Sequence, residues 1–342
     1  MIKDEICIEY EKKIASLKYP LFLYEYKDDS MEENIRLQMV DVLECLSEEI
    51  LDKKLNFYIF WIDDDSVNAS VVKIKNAYCI GLFRGIITSL IDHINTFYVN
   101  GIEIVDNGFL LPEKLYFKVM DDSEDKGRLG NYIFTMSFLY IIMHEFGHIL
   151  CGHEDKENMN FRNMNFEQNA EKKGGYKSQA KEYMADFYGI ANSLNMMLAS
   201  FHSSKKEIIH CVSLYLTAVQ SIFWIFNVTM KNLEESDCSK DTHPHPVVRM
   251  GYFLELIELE LSHSLYMFDR RKELNFTIDD KIISNMVQEA LQIFFDLINS
   301  SKVILSLEDI SSERCGQEIE NILREVQIVK EDFRDAAFVS YE

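Results

Sequence analysis

From Asn131 to His153, NYIFTMSFLYIIMHEFGHILCGH, apolar residues occupy nearly every helical position, and Glu145 is the only charge between Arg128 and Glu154. This pattern predicts a helix buried all round, starting near Asn131. At ~1.5 Å per residue it would be roughly 30 Å long, enough to cross a domain. Upstream, Ile35, Met39, Val42, Leu43, Leu46 and Ile50 give an amphipathic helix over 31–51. A strand follows at 56–62, ended by a turn at Asp63-Asp64-Asp65, and two short strands between 68 and 80 turn near Lys75-Asn76. Gly85 opens a further helix, on which His93 reads as a packed or surface residue. Residues 99–130 read as loop with a strand at 114–119, and 154–177 as a polar loop. Helices are expected at 179–200 and 206–231, from Pro246 with an apolar face of Val247, Met250, Leu254, Ile257 and Leu261, and near 279–299 and 311–331. The fold class is therefore α+β, mainly α-helical, with a small mixed sheet packed on helices.

One stretch could change that picture. Cys211–Met230 carries no charge for twenty residues, long enough to span a bilayer. It also carries Ser213, Thr217, Gln220, Ser221, Asn227 and Thr229, so a helix buried in a large helical domain is the expectation and a membrane span the alternative. The formal charge, 35 − 57 = −22, opposes binding to nucleic acid or anionic lipid. Seven scattered cysteines without a CxxC pair point to reduced thiols, and the N-terminus lacks an apolar signal core; a cytoplasmic location is expected.

The chemistry lies in His144-Glu145-Phe146-Gly147-His148. Residues four apart share a helix face, so His144 and His148 can offer two imidazoles to one metal ion. Glu145, about 100° further round, reaches water at the metal instead of the metal. Two packed core histidines would give the same spacing, but burying them beside a carboxylate is costly without a partner. A catalytic zinc needs a third protein ligand. His153 is nearest, but it falls nine positions after His144, with glycine at 152, one residue out of register with HExxHxxGxxH. Glu182, 34 residues after His148 on a separate helix, supplies the missing carboxylate. Asp186, one turn on, is placed to accept the second N–H of a ligand histidine. Asp241-Thr242-His243-Pro244-His245-Pro246 adds two more histidines, either of which could donate to a developing oxyanion.

HEFGH followed by Glu182-Tyr183-Met184-Ala185-Asp186 resembles the gluzincin zinc peptidases, specifically the HtpX-like enzymes and the Lit-type phage-exclusion peptidases. Asn68-Ala69 with Arg84-Gly85-Ile86, and Thr242-His243-Pro244 with Arg249, are similar to HtpX-like elements; the likeness spans roughly 68–255. The resemblance implies a zincin-type core holding one Zn2+ per chain on His144, His148 and Glu182, with Glu145 as base. It places His243 and Arg249 near the active site and makes the strand at 69–80 the edge for an extended peptide. His245 and His153 remain candidates for holding a ligand or contacting substrate. A single doubtful span suits the Lit-type group better, whose targets are host translation factors.

The expectation is a zinc endopeptidase acting on a protein or peptide substrate. A membrane-apposed HtpX-like protease and a zinc-dependent regulator of the ImmA/IrrE type are the alternatives. The expected segments are an N-terminal helical part (1–55), a small sheet with helix and loop insertion (56–130), the zinc-binding core (131–265) and a C-terminal helical extension (266–342) forming one unit with 56–265.

Overall fold

The computed structural model describes residues 5–16, 30–96, 117–121, 125–153, 175–199, 204–227, 233, 236–270, 274, 276, 279–299, 307–334 and 337–338. The chain is mainly helical with one small mixed sheet, as its patterning implies. Strands β1 (Asn56–Ile62), β2 (Ala69–Ile74) and β3 (Ala77–Phe83) order as β1-β3-β2. β1 runs parallel to β3, and β2 returns antiparallel through a tight turn in which Lys75 takes φ 54°. Alternation along the strands splits the sheet's side chains between two cores. Phe57, Ile59, Trp61, Ile80 and Leu82 face the helices, while Ile62, Val72, Ile74, Cys79 and Phe83 meet Tyr10 of α1 (Glu5–Ser16). The Tyr10 ring stacks on Phe60 at 4.4 Å.

Helix α2 (Met31–Leu51) begins at Ser30, whose hydroxyl accepts from Glu33 N at 3.2 Å, and buries Ile35, Met39 and Leu43; Ile50 is left exposed. Helix α3 (Arg84–Ile94) follows β3 directly. The motif helix α4 spans Asp125–Leu150, six residues longer at its start than the apolar run suggests. The helix starts before Asn131. Asn131 is buried within it, where its amide oxygen accepts from Val119 N and Met120 N, both at 2.9 Å. Phe117 N donates to the Thr135 hydroxyl at 2.9 Å, and residues 117–119 are not part of the sheet; the rest of the strand expected at 114–119, and residues 154–174 of the polar loop, lie outside the described residues.

Helices α5 (Tyr176–Leu198), α6 (Lys205–Asn227), α7 (Pro246–Arg270), α8 (Asp280–Asn299), the short α9 (Leu307–Ile310) and α10 (Glu313–Phe333) complete the described structure. α4 packs chiefly on α5, with α6 on another side; α8 covers α6, and α10 lies on α5 and α7. Trp61 and Phe57 bring the sheet onto α4 through Phe138 and Phe146, each pair at 5.8 Å. Residues 127–150 and 205–225 are long and apolar enough to cross a membrane, but the helices around them bury all of the first apolar window and 83% of the second. The hydroxyls of Ser213, Thr217 and Ser221 bond to carbonyls one turn back on α6, which satisfies them without water.

His93 is packed within this core, its ring 6.2 Å from that of Trp224. Burial lowers its imidazole from 6.5 to about 4. The unfolded chain therefore binds the proton first: this contribution is complete above pH 6.5, falls as pH drops, and is lost by about pH 4, about 3 kcal/mol in all. We expect His93→Gln to flatten the acid limb of stability by that amount, measured as urea unfolding midpoints of both proteins from pH 7 to pH 4.

Candidate metal centre

The site stands where α4 and α5 cross. A Cβ on Gly147 would lie 2.5 Å from the Ala185 carbonyl oxygen, and one on Gly189 would lie 3.1 Å from the His144 Cα. Moving up α4 from 144 to 147 thus moves back along α5 from 189 to 185, so the helices run antiparallel, backbone against backbone. Only glycine permits the closer of these contacts. Gly147→Ala must push α5 away, and we expect it to cost about 1–3 kcal/mol in chemical denaturation, the usual range for overpacking.

This crossing brings His144, His148 and Glu182 together, all buried, with one potential ligand atom from each lying within 4.8 Å of the others. His144 Nε2 is 3.3 Å and His148 Nε2 3.6 Å from the Glu182 carboxylate oxygens. The first of these pairs is close without being aligned: His144 Nε2 and Glu182 Oε2 are both buried with no hydrogen-bond partner. Two such atoms facing one point are costly alone, and a cation between them would satisfy both. The residues therefore fit a metal ion, through a two-histidine, one-carboxylate donor set suited to zinc. Glu145 is buried beside His144.

Behind the ligands, Asp186 is fully buried and accepts from four side chains: Tyr140 (2.5 Å), Tyr252 (2.6 Å), Arg249 through Nε and Nη2 (2.8 and 2.6 Å), and His144 Nδ1 (2.8 Å). Burial pushes its carboxyl up, but Arg249 and His144 outweigh that and hold it well below the usual carboxylate range. Being acceptor-only, Asp186 requires the His144 proton on Nδ1 and leaves Nε2 for the site. Burial also pulls the His144 imidazole down, yet Asp186 and Glu182 together hold it up at about 9. A cation entering the site takes the place of that proton. Glu182 is likewise held ionised, with His243 and His148 overcoming the effect of its burial.

His243 joins the cluster, its Nε2 3.5 Å from Glu182 and its Nδ1 2.9 Å from the Thr242 hydroxyl. Arg249 reaches the site from behind: it pairs with Asp186 through Nε and Nη2, and Nη2 also lies 3.4 Å from His144 Nδ1. His245 accepts from Val247 N at 3.3 Å and so caps α7. His153 lies behind His148, with the two Nδ1 atoms 2.9 Å apart. Tyr140 and Tyr252 belong to no motif in the sequence. Their signal was spacing, since Tyr140 lies one turn before His144 and Tyr252 three residues after Arg249, each on the face of a residue already chosen.

A helix carrying HExxH beside a helix that supplies a buried carboxylate defines the class, a hydrolase-type site able to hold a metal ion. The sequence comparison agrees: residues 91–268, just over half of the chain, match the family Peptidase U49, and the chain belongs to that family. No curated protein matches it, nor does any solved structure.

Proposed function

We propose that this protein is a zinc-dependent endopeptidase that cuts a protein substrate in the cytoplasm, in a defence role like that of the Lit-type peptidases. The observation that carries the reading is the buried His144 Nε2 and Glu182 Oε2, close together and without hydrogen-bond partners, in a chain of a peptidase family. His144, His148 and Glu182 would hold the ion, which would supply Lewis acidity to a substrate carbonyl and to water. Glu145 would take the proton of that water and deliver it to the leaving amine. His243 turns Nε2 to the side of the site, 3.5 Å from Glu182, and in the tautomer in which the Thr242 hydroxyl donates to Nδ1 the proton on Nε2 is the one offered to the oxyanion. Asp186, Tyr140, Tyr252 and Arg249 keep His144 in one tautomer and orientation. The free cysteines among the described residues and the packing of both long apolar helices support the cytoplasmic reading.

The test is metal content together with cleavage. Purified protein should contain one zinc per chain, Glu182→Ala should lose it, and cells expressing the wild type should gain new protein N-termini absent with Glu182→Ala. A metal-free wild type, or identical N-termini in the two strains, would overturn the proposal.

A further inference from the structure

This inference rests on the metal-centre reading above. Two ligand histidines call for partners behind them: His144 has Asp186 there, and His148 has His153. Beyond α4, Cys151 N donates to Gly147 O (3.0 Å) and Gly152 N to Ile149 O (2.9 Å), and Gly152 takes φ 68°, a left-handed conformation open to glycine. That reversal folds His153 back against His148, where it is fully buried. Two imidazole nitrogens 2.9 Å apart share one hydrogen, so one must donate and the other accept. His148 presents Nε2 to Glu182, and an imidazole bound through Nε2 keeps its proton on Nδ1. His148 is then the donor and His153 Nδ1 the acceptor.

His153 is in turn held from the far end of the chain. The Phe333 ring of α10 meets it edge to face, with centroids 5.1 Å apart. Lys181, next to the ligand Glu182, sits over the other ring system of this contact, 4.6 Å from the Phe333 centroid. Phe338 N donates to the Leu150 carbonyl at 2.8 Å, tying the same segment to the end of α4. Phe333 lies outside the 91–268 match, so this support is not contained in the part of the chain that carries the family likeness.

We propose that His153 is the positioning residue of His148, accepting its Nδ1 proton, and that α10 keeps His153 in place through Phe333. One ligand is thus oriented by an anion and the other by a neutral acceptor.

The test is titration of the metal-free full chain with cobalt(II) in competition with a chelator, with the visible spectrum of the bound ion recorded. His153→Leu should bind cobalt about 10–100-fold more weakly, the usual cost of losing a partner of a ligand histidine, with a shifted spectrum. In His153→Asn, Oδ1 stands where Nδ1 was, and wild-type affinity and spectrum should largely return. Phe333→Ala should move both readouts in the direction of His153→Leu. A purely structural role would lower metal-free thermal stability in these variants and leave the spectrum alone. Wild-type affinity and spectrum in His153→Leu, or failure of His153→Asn to recover them, would overturn the proposal. If His153→Leu does not fold, an unchanged Phe333→Ala overturns it equally. Failure of the wild type itself to take up cobalt would sink the metal-centre reading, whereas loss of the variant effects alone sinks only this one.

Discussion

Glutamine in place of Glu145 is expected to slow peptide hydrolysis by about 10²–10⁴-fold, the range for losing a general base, while the chain still takes up one metal ion. The two effects separate because Glu145 is not among the three residues whose ligand atoms converge. Glutamine keeps the volume and the buried position and loses only the ability to accept and pass on a proton. Turnover of the substrate found by N-terminal mapping, measured alongside metal content, checks it. Activity within tenfold of wild type would remove Glu145 from the chemistry and leave the family assignment intact.

The second large effect is expected at Arg249. Its guanidinium meets both oxygens of a fully buried carboxylate, and the Asp186 site also draws in two phenols and a ligand histidine. Arg249→Met leaves that charge buried without its cation, which typically costs about 3–5 kcal/mol. Urea unfolding should show a lower midpoint, and metal affinity should fall too, because Asp186 loses the cation that holds it ionised and in place against His144. Arg249→Lys should recover only part, since a single ammonium cannot reproduce the two-point contact. An unchanged midpoint in Arg249→Met would show that the pair adds nothing to stability.

The linear sequence exposes those parts of the site that depend on short spacing. His144 and His148 four apart, and Glu182 and Asp186 four apart, are each a helix face, so two faces could be read without knowing how they meet. The strand limits at 56–62 and the turn at Lys75-Asn76 were legible for a similar reason, since period two and turn residues are local. What stayed hidden depends on crossings between distant segments. Gly147 looks like a spare residue in the motif, and only the approach of Ala185 explains it. Asn131 has the chemistry of a helix cap and instead holds the backbone of 119–120. Phe333 is one apolar residue among many until α10 places it against His153, 180 positions away.

The glycine contacts also govern which ions the site can accept. Side-chain ligands swivel, but His144 and Glu182 project from two backbones that touch at Gly147 and Gly189, so the gap between them is gauged by main chain and not by rotamers. A larger ion cannot be admitted by a small turn of an imidazole; it must pry apart two helices embedded in the core. Tolerance for ionic radius is thereby tied to a backbone-to-backbone contact, and a methyl group at position 147 would recalibrate it.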